Sequence, residues 1–155
     1  MVSKEYIITG AMLILVTYTL GLSLVSQAFP AGQTTRTLSS SGSIQIQATA
    51  GIGVYSNIEG TIPLTSVSWG TLQPGGSQIV TVYIKNEGIS TTTLSLQTSS
   101  WIPTAAETYL DLSWNYNGTP INPDAVVQIT LTLTVDANIE GVSTFSFDII
   151  IVGSS

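Results

Sequence analysis

An all-β fold is expected: an immunoglobulin-like antiparallel β-sandwich of about eight strands, preceded by an N-terminal hydrophobic helix. Three observations predict it. From Ser43 onward, apolar and polar residues alternate with period two, the signature of half-buried strands. Clusters of Gly, Pro, Asn and Asp divide the alternating runs at strand-length intervals. Ahead of them, Tyr6 to Val25 (YIITGAMLILVTYTLGLSLV) runs without a charge, which as a helix is long enough to span a bilayer.

In chain order, residues 1–28 read as a signal peptide or a transmembrane anchor. Lys4 precedes the apolar run, and Ser26-Gln27-Ala28 follows it with small residues spaced as at a cleavage site. Either form carries the rest of the chain out of the cytoplasm, secreted or displayed at the cell surface. It stays membrane-anchored if residues 6–25 are retained. Residues 29–42 (FPAGQTTRTLSSSG) are polar and small and read as a linker or donor arm. The sandwich is expected over 43–153. Ile44 and Ile46 alternate with Gln45 and Gln47, and two short strands follow at Ile52–Ser56 and Val67–Leu72. Val80, Val82 and Ile84 alternate with Thr81, Tyr83 and Lys85, then Leu94 and Leu96 with Ser95 and Gln97. Thr104–Tyr109 reads as a single helical turn after Pro103, leading into Leu110, Leu112 and Trp114. The clearest run is Val127, Ile129, Leu131, Leu133 and Val135, with Gln128 and three threonines between. Phe145, Phe147, Ile149 and Ile151 make one face of the last strand. Two Pro-containing turns, at Gln73-Pro74-Gly75 and Asn122-Pro123-Asp124, each lead into a long strand. This weak internal echo is either two corresponding strands of a sandwich or chance likeness.

Composition bounds the chemistry. The chain has no cysteine and no histidine. No disulfide framework exists, and the commonest general base and metal ligand are missing together. Three Lys and Arg stand against nine Asp and Glu. After residue 28 the only cations are Arg36 and Lys85. Nucleic acid and anionic headgroups both need clustered cations, so no nucleic-acid partner is expected. The 42 Ser and Thr cover the surface instead, and Thr suits a pleated, half-buried strand.

Candidate sites follow from the same pattern. A donated strand needs alternate side chains to fill pockets, and Leu38, Ile44 and Ile46 are the candidates. The plainer alternative makes Ile44 and Ile46 the domain's own first strand and the arm a spacer. Ile150 and Val152 put apolar groups on the second face of the last strand. They mark either a subunit contact or a central strand covered by a loop. Trp101, in a loop before Pro103, is the candidate exposed aromatic for stacking on sugars. Asn117-Gly118-Thr119 is the one N-x-[ST] sequon after residue 28, which makes Asn117 the candidate glycosylation site, although Pro120 follows directly. Asp136, Asn138 and Glu140 begin like a calcium loop, but its twelfth position is Phe147 where a bidentate acid is required. Glu107 and Asp111 pair carboxylates four residues apart, a weak signal for hydrolysis. No catalytic, metal or cofactor set emerges, so neither a cofactor nor an enzyme is expected.

Trp69-Gly70-Thr71-Leu72-x-Pro74-Gly75, Val82-Tyr83-Ile84-Lys85-Asn86-Glu87-Gly88, Trp101-x-Pro103, Leu112-Ser113-Trp114-Asn115-Tyr116 and Phe145-Ser146-Phe147-Asp148-Ile149-x-Ile151 carry a resemblance. Over residues 43–153 the chain resembles small archaeal cell-surface proteins with an N-terminal membrane segment and one β-sandwich. In layout it is more distantly similar to TasA/camelysin-like proteins and archaeal bundling-pilus subunits. The resemblance implies a subunit of an extracellular filament or surface assembly, joined to itself or to other surface proteins by β-strand addition. The peptidase activity described for camelysin-like proteins gains no support from a chain without His or HExxH. The alternative expectation is a membrane-anchored, outward-facing binding module for carbohydrate or envelope polymer.

Overall fold

The computed structural model describes residues 38–40, 44–48 and 51–155, all inside one compact unit, Thr35–Ser155. The apolar segment 6–25, and with it the expected helix, lies outside the described residues. Among the described residues no helix is long and apolar enough to cross a membrane.

The alternating runs become strands, but the short strand expected over Val67–Leu72 is two two-residue strands separated by Ser68–Gly70, where the positive φ of Gly70 bends the chain. The strands are β1 (Leu38–Ser40), β2 (Ile44–Ala48), β3 (Ile52–Tyr55), β4 (Ser66–Val67) and β5 (Thr71–Leu72). The longer ones follow: β6 (Ser77–Asn86), β7 (Thr93–Ile102), β8 (Leu110–Trp114), β9 (Val126–Val135) and β10 (Thr144–Ser154). The one helical turn among the described residues is α1, Ala106–Tyr109. In β9 the side chains of Ile129, Leu131, Leu133 and Val135 are buried while Gln128 and Thr134 are exposed. Burying each such aliphatic group contributes roughly 1.5–3 kcal/mol, and these inward rows are the main source of stability in a chain without disulfides.

One sheet runs β3-β6-β9-β8, with every pair antiparallel. In the other, β10 pairs antiparallel with β7 along one edge. Along its second edge β10 pairs parallel with both β1 and β2. β5 then flanks β1, and β4 flanks β2. The ten strands therefore fill eight strand positions, four in each sheet. Inward side chains from both sheets belong to one core, with Trp69, Phe145, Phe147, Ile149 and Ile151 facing Val82, Ile84, Ile129 and Leu131.

The parallel pairs depart from the purely antiparallel expectation, and register gives the reason. Ser39 is the partner of Thr144, and Ala48 of Ile151. The first and last strands thus enter the sheet at the same pole and run the same way. That pole also holds the end of β7 and of β9. The opposite pole holds Gly51, Asn86, Ile121 and Ser154.

The two Pro-containing turns are structurally alike. Gly75 and Asp124 each follow a proline and take positive φ, 75° and 63°. The turns are closed by Gly76 N–H to Gln73 O at 2.9 Å and Ala125 N–H to Asn122 O at 3.1 Å. They feed β6 and β9, which pair with each other across the centre of one sheet. The internal echo is therefore a repeated turn at opposite poles of one strand pair.

Candidate functional site

β1 and β2 together fill one slot beside β10. These strands stand inside a sheet, between β10 and the short flanking strands β4 and β5. Ile46 is in register with Ile149 and packs half-buried against the core. Ile44 is in register with Val67, and Leu38 with Leu72. The backbone of residue 46 also donates to Thr65 O at 2.8 Å. All three expected strand-donation residues therefore lie in this one slot, and Leu38–Ser40 is strand inside the stretch read as linker or arm. Trp69, in the link between β4 and β5, is 2% exposed.

A second place where backbone groups are open is the groove between β7 and β8, the outer strands on the same side of the two sheets. It encloses about 530 Å³, with Leu96, Leu112, Trp114 and Tyr116 along its wall. Trp114 and Tyr116 meet edge to face at 5.4 Å. Leu94 donates its N–H to the Tyr116 hydroxyl at 3.3 Å, and Thr92 exchanges backbone bonds with Ile121 at 3.0 and 2.7 Å. By strand alternation the N–H groups of Leu96 and Thr98 point the same way, away from β10. The open part of this edge thus spans only Ser95 to Thr98, closed at one end by Tyr116 and interrupted beyond by Ser100 at φ 56°. The β10 slot takes a strand over a longer stretch and bonds it on both flanks.

Trp101 is not an exposed aromatic. It is 6% exposed and stacks on Phe147 with ring centroids 4.0 Å apart. Pro103 turns the chain only after Trp101 has ended β7 on its inward face, so the residue belongs to the core. The neighbouring Ile102 is the exposed one, at 65%. The expectation failed because the strand runs on to Ile102, five residues past the alternation that ends at Gln97.

Ile150 and Val152 lie half-exposed on the outer face of β10, a strand with neighbours on both edges. Ile150 is flanked in register by Gln47 and Gln97, and Val152 by Ser95. Asn117 is exposed in the β8–β9 connection. Asp136 Oδ1 accepts the Asn138 N–H at 2.7 Å, a surface turn as its spacing predicts. Glu107 and Asp111 are both exposed beside a shallow depression. Among the described residues no group of three acids, His or Cys is placed to hold a metal ion.

Sequence reasoning missed a tyrosine pair. Tyr55 and Tyr83 are in register on the outer face of the β3-β6-β9-β8 sheet, with Gln128 next in the row. The Tyr55 hydroxyl donates to Glu87. That hydrogen bond, helped by partial desolvation and the carboxylate's charge, holds the phenol above its ordinary pKa. Gly53 lets the ring lie close, because a Cβ there would sit 2.5 Å from the Tyr55 ring. The cross-strand register, invisible in one sequence, is what places the two tyrosines on neighbouring strands of one face.

No protein-family model matches the chain, and comparison with curated proteins finds no match.

Proposed function

We propose that the chain is an immunoglobulin-like β-sandwich, exported and displayed at the cell surface, and that it is a structural subunit of an extracellular filament or surface assembly. Subunits join by β-strand addition, with β1–β2 of one copy occupying the slot beside β10 of the next. The observation that carries this reading is the placement of an N-terminal strand pair in the interior of a sheet. In chain order this pair comes before all the other described strands, so it joins the rest of the described fold only through the link to β3. A neighbour's copy remakes the same backbone bonds and the same Ile46 contact, so exchange costs little and is governed by local concentration. Main-chain bonds supply affinity, and the Ile46 contact together with the backbone pairing of β1 and β2 supplies register.

The test is negative-stain microscopy of residues 29–155 beside a version beginning at Gly51. Filaments are expected from the first and none from the second. A synthetic peptide of residues 35–50 should bind the shorter version and shift the fluorescence of Trp69. Monodisperse particles from residues 29–155, with no peptide binding to the shorter form, would sink the proposal.

One observation favours a second reading, an anchored outward-facing binding module for carbohydrate or envelope polymer. Tyr55, Tyr83 and Gln128 set two rings and an amide on one outer face, and aromatic faces with polar neighbours suit sugar rings. Polysaccharide binding that disappears in Tyr83→Ala would support it. Binding unchanged in that variant would remove it.

A further inference from the structure

On the reading that the chain is exported, we propose that Asn117 is a site of N-linked glycosylation and that its glycan stands at the mouth of the β7–β8 groove. The sequon Asn117-Gly118-Thr119 and the following Pro120 are all exposed. Asn117 Oδ1 accepts the Thr119 N–H at 3.0 Å. This holds the amide through Oδ1, and Nδ2 makes no hydrogen bond among the described residues. Two other asparagines differ. Asn86 commits Nδ2 to Ser90 O and Ile121 O at 2.8 and 2.9 Å, and Asn57 commits its own to Glu59 and Thr61.

The loop is also held out and left uncrowded. The Tyr116 hydroxyl donates to Thr119 O at 2.7 Å, pinning the turn to the sandwich. Gly118 takes φ 83°, and nothing lies within 4 Å of where its Cβ would be. Proline is barred from the middle position of a sequon, and here Gly118 holds that position. The Thr92–Ile121 bridge places the loop at the pole where β10 ends, opposite the pole where β1 begins. Gly118 also lines the β7–β8 groove, so a saccharide on Asn117 stands over its opening and shields the open backbone of Ser95 to Thr98 from pairing.

The co-reactant is a saccharide carried on a lipid phosphate, supplied with a membrane transferase. Nδ2 attacks the anomeric carbon, and the C–O bond to phosphate breaks. The lipid phosphate leaves with the electron pair, and one Nδ2 proton passes to a base of the transferase. The product is an N-glycosidic bond.

The experiment is peptide mass spectrometry on the full chain made in its own cell, with surface exposure scored by protease treatment of intact cells. The peptide containing Asn117 should be shifted by the mass of a saccharide. The shift should vanish in Asn117→Gln and in Thr119→Ala and persist in Thr119→Ser. A protease-accessible protein whose Asn117 peptide is unmodified would overturn the inference and leave the export reading standing. A protein confined to the cytoplasm and unmodified would overturn both.

Discussion

Ile46 and Ile149 stand side by side on strands that run in parallel, one near the start of the described chain and one near its end. Their pairing closes the sheet, and no intervening loop has to be crossed to open it. Ile46→Asp should therefore weaken this one contact without disturbing the other sheet. Placing an unpaired carboxylate in a half-buried apolar seat should cost about 2–4 kcal/mol, read as a lower urea midpoint. Assembly should be lost at concentrations where the parent chain forms filaments.

Asn86 is 1% exposed and ties three segments together. Its Oδ1 accepts Gly88 N–H at 2.9 Å while Nδ2 donates to the carbonyls of Ser90 and Ile121. Asn86→Leu removes these bonds and strands buried carbonyls. A loss of about 3 kcal/mol is expected by denaturant unfolding. Thr119→Ala, on the exposed loop nearby, should change stability by less than about 0.5 kcal/mol in the unglycosylated chain.

Gly75 and Asp124 are counterparts in the repeated turn. Gly75 donates its N–H to Val135 O at 3.1 Å, and Asp124 to Asn86 O at 2.8 Å, each reaching the last residue of the opposite long strand. Positive φ is cheap for Gly and costs a side chain roughly 1 kcal/mol. Thermal unfolding should accordingly show Asp124→Gly as neutral or slightly stabilising and Gly75→Ala as destabilising by about 1 kcal/mol.

Trp101→Ala separates the core reading from the sugar-binding one. Removing a buried ring stacked on Phe147 should cost about 3–5 kcal/mol. Trp101→Phe should keep most of that stability and leave any polysaccharide binding unchanged. A stable Trp101→Ala protein that has lost sugar binding would contradict the placement.

Period-two runs made the long strands legible. The inward faces of β6, β8, β9 and β10 follow from alternation, because burying one face leaves few alternatives. The short strands were harder. β4 and β5 contain two residues each, too few to show a period. β1 was hidden in a Ser- and Thr-rich stretch, and only pairing with β10 and β5 makes it strand. Ile44 and Ile46 were legible as a strand, but not their parallel alignment with β10, because register between distant segments leaves no local trace. Trp101 was misplaced because positive φ at Ser100 interrupts the alternation just before it. Tyr55 and Tyr83 are 28 residues apart in sequence and become neighbours in register only through sheet pairing.

Strand exchange between subunits is tested most directly by a cysteine pair placed at the in-register positions 39 and 144. The chain has no cysteine of its own, so Ser39→Cys with Thr144→Cys introduces the sole pair, and neighbouring strands can meet disulfide geometry. Surface assemblies oxidised and run on a denaturing, non-reducing gel should give a ladder of covalent multimers that collapses to one band on reduction. A single monomer band carrying an internal disulfide, from material that is visibly assembled, would contradict strand exchange.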